Sequence, residues 1–179
     1  MLIGKITRLR ALEKQDMPLL QKWMNDPNLT KWLGPRFPIS LEEQNRWYDK
    51  LVTDPTKRKL LIEDLQGRAI GLVSLMDINF KDRSAEFGIY LGERPAIGKG
   101  QGKDASITMM KFAFSELGLH RLFLYVFEEN TRAIASFEEC GFRTEAVLRE
   151  NVFYEGKFHN QLIMGLLSED FKSIISLAE

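Results

Sequence analysis

Three alternating glycines stand directly before a helical pattern, in the stretch GKGQGKDA at residues 98–105. Glycine loses more backbone entropy on folding than any other residue, so three of them in five positions need a reason. The usual reason is a phosphate group that contacts backbone N–H donors at the N-terminus of a helix. A glycine turn that begins a helix without any ligand is the alternative. The stretch predicts a phosphate-binding loop.

Two common phosphate-binding motifs can be compared with this stretch. A P-loop needs a glycine five residues before its Gly-Lys pair and Ser or Thr after it. Ile97 and Asp104 occupy those positions, which excludes a P-loop. Gly100, Gly102 and Ala105 match the dinucleotide fingerprint G-x-G-x-x-A. That fingerprint normally opens the first βαβ unit of a longer alternating domain, whereas three strands that look hairpin-connected stand directly before it here, so this interpretation is the weaker one.

The elements that precede the loop predict two helices and four strands. LIGKITRLRAL is an opening strand, and helices follow from Asp16 and from Ser40, which forms a capping-box pair with Glu43. Two β-type runs joined by DLQG predict a hairpin. SAEFGIYLG is the strand directly before the loop, and its alternation places Glu86 and Tyr90 on one face.

The elements that follow the loop complete a mixed α/β fold. A helix comes first, then HRLFLYVF, which is apolar on both faces and predicts a central strand covered on both sides. A short helix runs from Asn130 to Gly141, and two strands flank EGK as a closing hairpin. The strand, loop, helix and strand in the middle form a parallel unit.

The composition of the whole chain excludes several classes of protein. Its 179 residues suit one domain, residues 1–179. Equal numbers of basic and acidic residues, 25 each, give no reason to expect nucleic acid, and no apolar run is long enough to suggest a membrane partner. A single cysteine and a charged N-terminus predict a cytoplasmic protein. With two histidines and one cysteine, we expect no metal site.

Taken together, the motifs resemble the GNAT superfamily of acyl-CoA-dependent N-acetyltransferases. The similarity is greatest to its branch of ribosomal-protein N-terminal (Rim-type) and spermidine acetyltransferases. It rests on IGKGQGKDA after a strand, HRLFLYVFEENTRAIASFEECGF after the next helix, and YEGKFHNQLIMGLL near the end, in the family's order and spacing. The resemblance implies a single, mostly antiparallel mixed sheet with a central parallel strand–loop–helix–strand unit, and acetyl-CoA as co-substrate.

The resemblance also implies where coenzyme A binds. The glycine loop would wrap the pyrophosphate with its backbone N–H groups, and the preceding strand would splay from its neighbour and bind the pantetheine arm. The cofactor-binding residues so implied are Ile89, Tyr90, Leu91, Gly98, Lys99, Gly100, Gln101, Gly102, Lys103, Asn130, Ala133 and Phe137. Asn130 can equally be a plain helix cap, and the two roles are compatible.

Amide formation from a thioester needs a base for the amine proton and a proton for the leaving thiolate. Glu86 is the candidate base, because related enzymes often use a glutamate here; an ion pair with Arg83 or Arg121 is the alternative. Phe137 replaces the tyrosine of the family pattern NxxAxxxYxxxGF and cannot donate a proton. The donors that remain are Tyr90, Tyr125, Cys140 and water. This departure leaves open a degenerate domain that binds acyl-CoA as a sensor or interaction module.

The acceptor and the assembly are predicted more coarsely. The segment NDPNLTKWLGPRFPIS, where the family builds its acceptor pocket, carries Lys31 and Arg36 but only Asp26 as an acid. A polyamine would need a cluster of carboxylates, so we expect a neutral or anionic acceptor: a peptide N-terminus, an amino acid or an amino sugar. The tryptophans of this region serve core packing or acceptor stacking: Trp23, Trp32 and Trp47.

The apolar closing hairpin predicts a homodimer. We expect direct acetyl transfer in a ternary complex.

Overall fold

Eight strands form one continuous sheet in a computed structural model that describes residues 1–33 and 37–176. The strands are β1 (Leu2–Ile3), β2 (Thr7–Ala11), β3 (Arg58–Asp64), β4 (Ala69–Asn79), β5 (Ser84–Leu91), β6 (Arg121–Phe127), β7 (Arg143–Tyr154) and β8 (Lys157–Leu167). Their order across the sheet is β1-β2-β3-β4-β5-β6-β8-β7. Every neighbouring pair is antiparallel except β5 and β6, which are parallel. The predicted mixed sheet with one central parallel unit is therefore confirmed.

Helices cover parts of both faces of this sheet. They are α1 (Met17–Met24), α2 (Pro27–Thr30), α3 (Leu41–Thr53), α4 (Gln101–Lys111), α5 (Thr131–Glu138) and α6 (Ser168–Ser176). The larger apolar cluster joins the sheet to α4, through residues such as Phe87 and Met109. The smaller one joins the opposite face to α1 and α3, through Leu72 and Trp23. In the described ranges, no helix is both long enough and apolar enough to cross a membrane.

Three local features differ from the sequence prediction. The opening strand is a hairpin, because the chain turns back at Gly4, whose N–H donates to the Thr7 carbonyl at 2.9 Å. The short helix α2 begins at a Pro-Asn step after Asp26, whose carboxylate caps it. Helix α6 was not predicted, although two acids in its first turn favour a helix there.

The prediction that β6 is covered on both sides is wrong. Leu122 and Leu124 are buried in the larger cluster, as expected of one face. On the other face, however, Tyr125 is 44% exposed, and its ring meets Phe123 edge to face at 6.0 Å. The aromatic side chains that made this strand look fully buried instead border an open part of the sheet. That open face lies beside Glu86, which pairs with Phe123 across the parallel ladder.

Candidate active site

Strands β5 and β6 separate after only three residue pairs. The ladder joins Ser84 to Arg121, Ala85 to Leu122 and Glu86 to Phe123, and no later pair continues it. Both strands run on, to Leu91 and to Phe127, each held by its other neighbour. Among the described residues, the β5–β6 ladder therefore ends at Glu86, and the two strands diverge beyond it. A strand that leaves its ladder in this way can pair with the amide groups of an extended ligand.

The glycine loop follows β5 and leads directly into α4. Gly98 and Gly100 have φ values of 78° and 76°, a left-handed conformation that favours glycine. Gly100 is the N-cap of α4, so no side chain caps the N–H groups of the first turn. These groups have no intrahelical acceptor, and the positive end of the helix dipole lies among them. The geometry suits an anionic group such as a diphosphate.

Gly102 has a different reason to be glycine. It lies within α4, and a Cβ there would meet only Leu91 Cδ1, at 3.6 Å, which is ordinary van der Waals contact. The surrounding protein therefore has room for a side chain, and a helix would be more stable with one. Space kept open beside unsatisfied N–H groups is what a closely bound diphosphate needs. The residues present are thus compatible with coenzyme A.

The two lysines of the loop are placed differently. Lys99 is exposed. Lys103 lies in the first turn of α4, and its Nζ is 3.0 Å from Oε2 of Glu139, which follows α5. This ion pair links the two helices, and the Glu139 carboxylate partly neutralises the charge of Lys103. Lys103 therefore supports an anion less directly than its position in the sequence suggests.

The helix after β6 holds Asn130, Ala133 and Phe137. The Asn130 side chain accepts the N–H of Ala133 at 3.3 Å, which is the predicted helix cap. Phe137 packs edge to face against Phe87 at 6.5 Å and near Phe142 at 5.9 Å. Both neighbours belong to the larger core, so an apolar ring here continues the packing of the core.

Glu86 lies half-buried at the last pair of the β5–β6 ladder, opposite Met76 of β4. Burial raises the pKa of its carboxyl group, the nearby Asp77 carboxylate raises the pKa further, and the Lys59 ammonium lowers it. A carboxylate with a raised pKa is better matched to accept a proton near neutral pH. Glu86 therefore has the environment of a general base.

The ion-pair alternative for Glu86 is not supported in the described structure. Arg83 Nε donates to the Gly118 carbonyl at 2.6 Å. Arg121 forms a two-point ion pair with Glu145 of β7. Both arginines that the sequence offered as partners are thus bound elsewhere.

The remaining proton-donor candidates are separated by their positions. Tyr90 shares a face with Glu86 but lies four residues further along β5, about 13 Å away at the usual rise of a strand. Its ring packs against Trp23, with centroids 6.1 Å apart. Cys140 is 2% exposed, and burial raises the pKa of its thiol to about 11, which makes it a poor nucleophile. Tyr125 lies on the open face of β6, two residues beyond Phe123, the ladder partner of Glu86.

A cavity of about 220 Å³ lies between the end of α2, the end of β6 and the β7–β8 turn. Its lining residues are Lys31, Trp32, Phe127, Glu129, Tyr154, Glu155, Lys157 and His159. Trp32 meets Phe127 edge to face at 6.4 Å. His159 is fixed between Glu129, 2.9 Å from its Nδ1, and the Tyr154 carbonyl, 3.1 Å from its Nε2. Aromatic rings and charges of both signs therefore face one small space.

Sequence reasoning found only part of this cavity. It singled out Trp32 and Lys31 but missed the lining residues on the closing hairpin, from Tyr154 to His159. The signal available for them was the EGK turn with aromatic residues beside it. Trp23 is 1% exposed, and its Nε1 donates to Glu93, while Trp47 packs in the smaller cluster. Arg36 lies outside the described residues. A larger cavity of about 650 Å³ lies on β7, lined by Val147, Leu148, Arg149, Glu150, Asn151 and Asn160, none of which belongs to the predicted site.

A family model described as an acetyltransferase (GNAT) domain matches residues 7–143. This chain belongs to the GNAT acetyltransferase family. The predicted resemblance is thereby confirmed, and with it acetyl-CoA-dependent N-acetylation. The splayed strands and the glycine loop are compatible with acetyl-CoA as a ligand. Within residues 1–33 and 37–176, no group of three or more His, Cys, Asp or Glu side chains could hold a metal ion.

Relatives of this GNAT enzyme include a spermidine acetyltransferase and a second bacterial acetyltransferase. It is 33% identical to the spermidine N(1)-acetyltransferase of Vibrio cholerae over 163 residues, 91% of this chain and 94% of the relative. It is 31% identical to acetyltransferase PseH of Campylobacter jejuni over 139 residues, 77% of this chain and 83% of the relative. The V. cholerae spermidine enzyme in complex with CoA and spermine is similar in structure, with a TM-score of 0.90 at 32% identity, covering 94% and 99% of the two chains.

Proposed function

We propose that this enzyme transfers the acetyl group of acetyl-CoA directly to the primary amine of a small molecule or peptide, within one ternary complex. The observation that carries this proposal is the three-pair β5–β6 ladder, which ends at the half-buried Glu86. From that point β5 runs about 17 Å further to Leu91, which precedes the glycine loop. Acetyl-CoA, when bound, supplies a thioester whose carbonyl carbon an amine can attack.

The proposed binding contacts use mainly backbone groups. N–H groups from Gly98 to Lys103 meet the two phosphates, and Lys99 adds positive charge. Main-chain groups of Ile89, Tyr90 and Leu91 are proposed to pair with the pantetheine arm along β5, beyond the end of the β5–β6 ladder. The side chain of Asn130 caps α5, the helix that follows β6 and contains Ala133 and Phe137. These three residues are proposed to contact the coenzyme A arm from that helix.

Glu86 is the proposed general base. An alkyl ammonium must lose its proton before the nitrogen can attack, and a carboxylate at the end of the ladder can accept that proton directly or through one water. The raised pKa of Glu86 brings it closer to working pH. For the leaving thiolate, we propose protonation by water or by Tyr125. Tyr90 is less well placed, because it lies about 13 Å along β5 from Glu86.

The acceptor is proposed to enter through the cavity that Trp32 lines. Two carboxylates, Glu129 and Glu155, and two ammonium groups, Lys31 and Lys157, face this space. Mixed charge suits an amine that also carries a carboxylate or a neutral polar group, such as a peptide N-terminus, an amino acid or an amino sugar. A polyamine is the second candidate, because the similar enzyme of V. cholerae is a spermidine acetyltransferase.

A thiol-release assay with acetyl-CoA tests this function directly. The acceptors to compare are spermidine, a dipeptide, a free amino acid and an amino sugar, each at the same concentration. Release of CoA above the background for at least one amine is the expected result. Release for none of them, in a protein that binds acetyl-CoA, would favour the second candidate function, an acyl-CoA sensor. The absence of a tyrosine at position 137 is the observation that favours the sensor.

We further propose that residues 1–179 form a single domain that works in the cytoplasm as a homodimer. The one sheet to which all eight strands belong supports a single domain, and the lone buried Cys140 is compatible with a reducing compartment. The outermost strand, β7, has Val147 and Phe153 exposed, which is a surface that a second copy can cover. One structure of the V. cholerae relative is dodecameric, so light scattering must distinguish a dimer from larger assemblies.

A further inference from the structure

The carboxylate of Asp104 ties the first turn of α4 to the turn between β1 and β2. Its Oδ1 accepts the backbone N–H of Lys5 at 2.9 Å. Its Oδ2 accepts the N–H of Ile6 at 3.0 Å and the hydroxyl of Thr7 at 2.7 Å. Three donors from one turn therefore meet on a single side chain, three residues after α4 begins at Gln101.

The same turn approaches the glycine loop closely at two points. A Cβ at Gly4 would overlap the Asp104 carboxylate and would lie 2.7 Å from Thr108 Oγ1, so only glycine permits this approach. The Ile6 side chain lies 3.8 Å from the position that a Cβ of Gly100 would take. The β1–β2 turn therefore packs against the first turn of α4 and lies close to the glycine loop.

An acid in the first turn favours the helix dipole but is unfavourable for a bound diphosphate. A carboxylate one turn from a bound diphosphate repels it, which weakens binding. In this structure the carboxylate is directed to another element instead of to the N–H groups of its own helix. β2 pairs with β3, β3 with β4, and β4 with β5, the strand that precedes the loop. The Asp104 contact therefore joins the helix after the loop to the same sheet as the strand before it.

We propose that Asp104 is a positioning residue for acetyl-CoA. By holding the first turn of α4 against the β1–β2 turn, it keeps the N–H groups from Gly100 to Lys103 in the direction in which they meet the pyrophosphate. The inference rests on the proposed function, since it needs the loop to bind coenzyme A. It assigns Asp104 no contact with the substrate.

The substitution Asp104→Asn separates positioning from charge, because the two predict opposite signs. The amide NH2 group would face a backbone N–H, so at least one of the three hydrogen bonds is lost. We expect CoA to bind roughly tenfold more weakly by calorimetry, with a matching rise in the KM for acetyl-CoA and a kcat changed by less than about twofold. If the charge of Asp104 dominated, its removal would tighten binding instead.

A second variant and a matched control accompany this test. Thr7→Val removes one donor from Asp104 at nearly constant volume and should weaken CoA binding in the same direction, by about threefold. Asp54, just before β3, likewise accepts hydrogen bonds from a nearby turn, but far from the loop in the sequence. Its Oδ1 accepts the N–H of Thr56 at 2.9 Å and the Thr56 hydroxyl at 2.6 Å. Asp54→Asn should lower the Tm and leave the affinity for CoA unchanged.

The outcomes are distinguishable. If the unmodified protein binds CoA and both Asp104→Asn and Thr7→Val weaken binding while Asp54→Asn does not, the positioning role holds. If the unmodified protein binds CoA and the variants that fold bind it as tightly or more tightly, the positioning role is refuted and the proposed function stands. If the unmodified protein binds no CoA at all, the proposed function fails and this inference fails with it.

Discussion

The substitution Gly102→Ala should make the protein more stable and, at the same time, weaken its binding of coenzyme A. Gly102 is the second residue of α4, and a methyl group there would touch only Leu91 Cδ1, at 3.6 Å. Replacing glycine by alanine within a helix stabilises it by about 0.5–1 kcal/mol. For a chain of this size, that corresponds to a rise in Tm of roughly 1–4 °C.

The effect on the ligand has the opposite sign. A methyl group beside the first N–H groups of α4 keeps a phosphate from close approach and weakens one or two hydrogen bonds to a charged acceptor. Each is worth about 1.5–3 kcal/mol, so the affinity for CoA should fall between roughly tenfold and a few hundredfold. The matched control is Gln101→Ala, which adds no atoms beside the N–H groups of α4 and should bind CoA almost normally.

Thermal unfolding with and without CoA measures both effects in one experiment. A ligand that binds only the folded state raises the Tm in proportion to RT ln(1 + [L]/Kd). Gly102→Ala should therefore start from a higher Tm and gain less from added CoA, and calorimetry should give the weaker Kd directly. A folded Gly102→Ala protein with an unchanged Kd for CoA would refute the assignment of the loop.

Three further substitutions test the rest of the site. Glu86→Gln should lower turnover by roughly 10²–10⁴-fold with little change in the affinity for CoA, and the loss should shrink at high pH, where more amine is already neutral. Because the pKa of Glu86 is raised in the folded state, its charged carboxylate destabilises the fold above that pKa. Glu86→Gln should therefore also raise the Tm at neutral pH. If Glu86 were ion-paired instead, the same substitution would lower the Tm. Lys103→Ala should weaken CoA binding less than about fivefold in a titration, since Lys103 is exposed and already pairs with Glu139. Phe137→Tyr, which restores the family's hydroxyl, should raise kcat up to about tenfold if thiolate protonation limits the rate, and a steady-state assay that finds no gain would leave that step to water or Tyr125.

The sequence was most informative where local backbone geometry determines the structure. The left-handed φ of Gly98 and Gly100 is a property that few other residues share, so the loop could be located from the glycines alone. The alternation of β5 gave the correct face for Glu86, because the period of a strand is two residues. The capping box from Ser40 to Glu43 likewise marked the start of α3.

Features that depend on distant elements could not be predicted in the same way. The opening strand contained no visible break, because the turn at Gly4 is fixed by the Asp104 carboxylate a hundred residues later. The open face of β6 looked like core, since aromatic side chains serve both purposes. Arg121 seemed available to Glu86 until β7 brought Glu145 to it from across the sheet. The cavity lined by Trp32 collects residues from three separated segments of the chain.

The burial of Cys140 has a practical consequence. It is the chain's single cysteine, it is almost inaccessible, and burial raises the pKa of its thiol to about 11. A thiol reagent that follows CoA release near neutral pH will therefore record the product and almost nothing from the folded enzyme. For the same reason, a cysteine introduced on the surface, for example beside the cavity at Lys157, can carry a fluorophore or a spin label at one defined site without removing the natural residue.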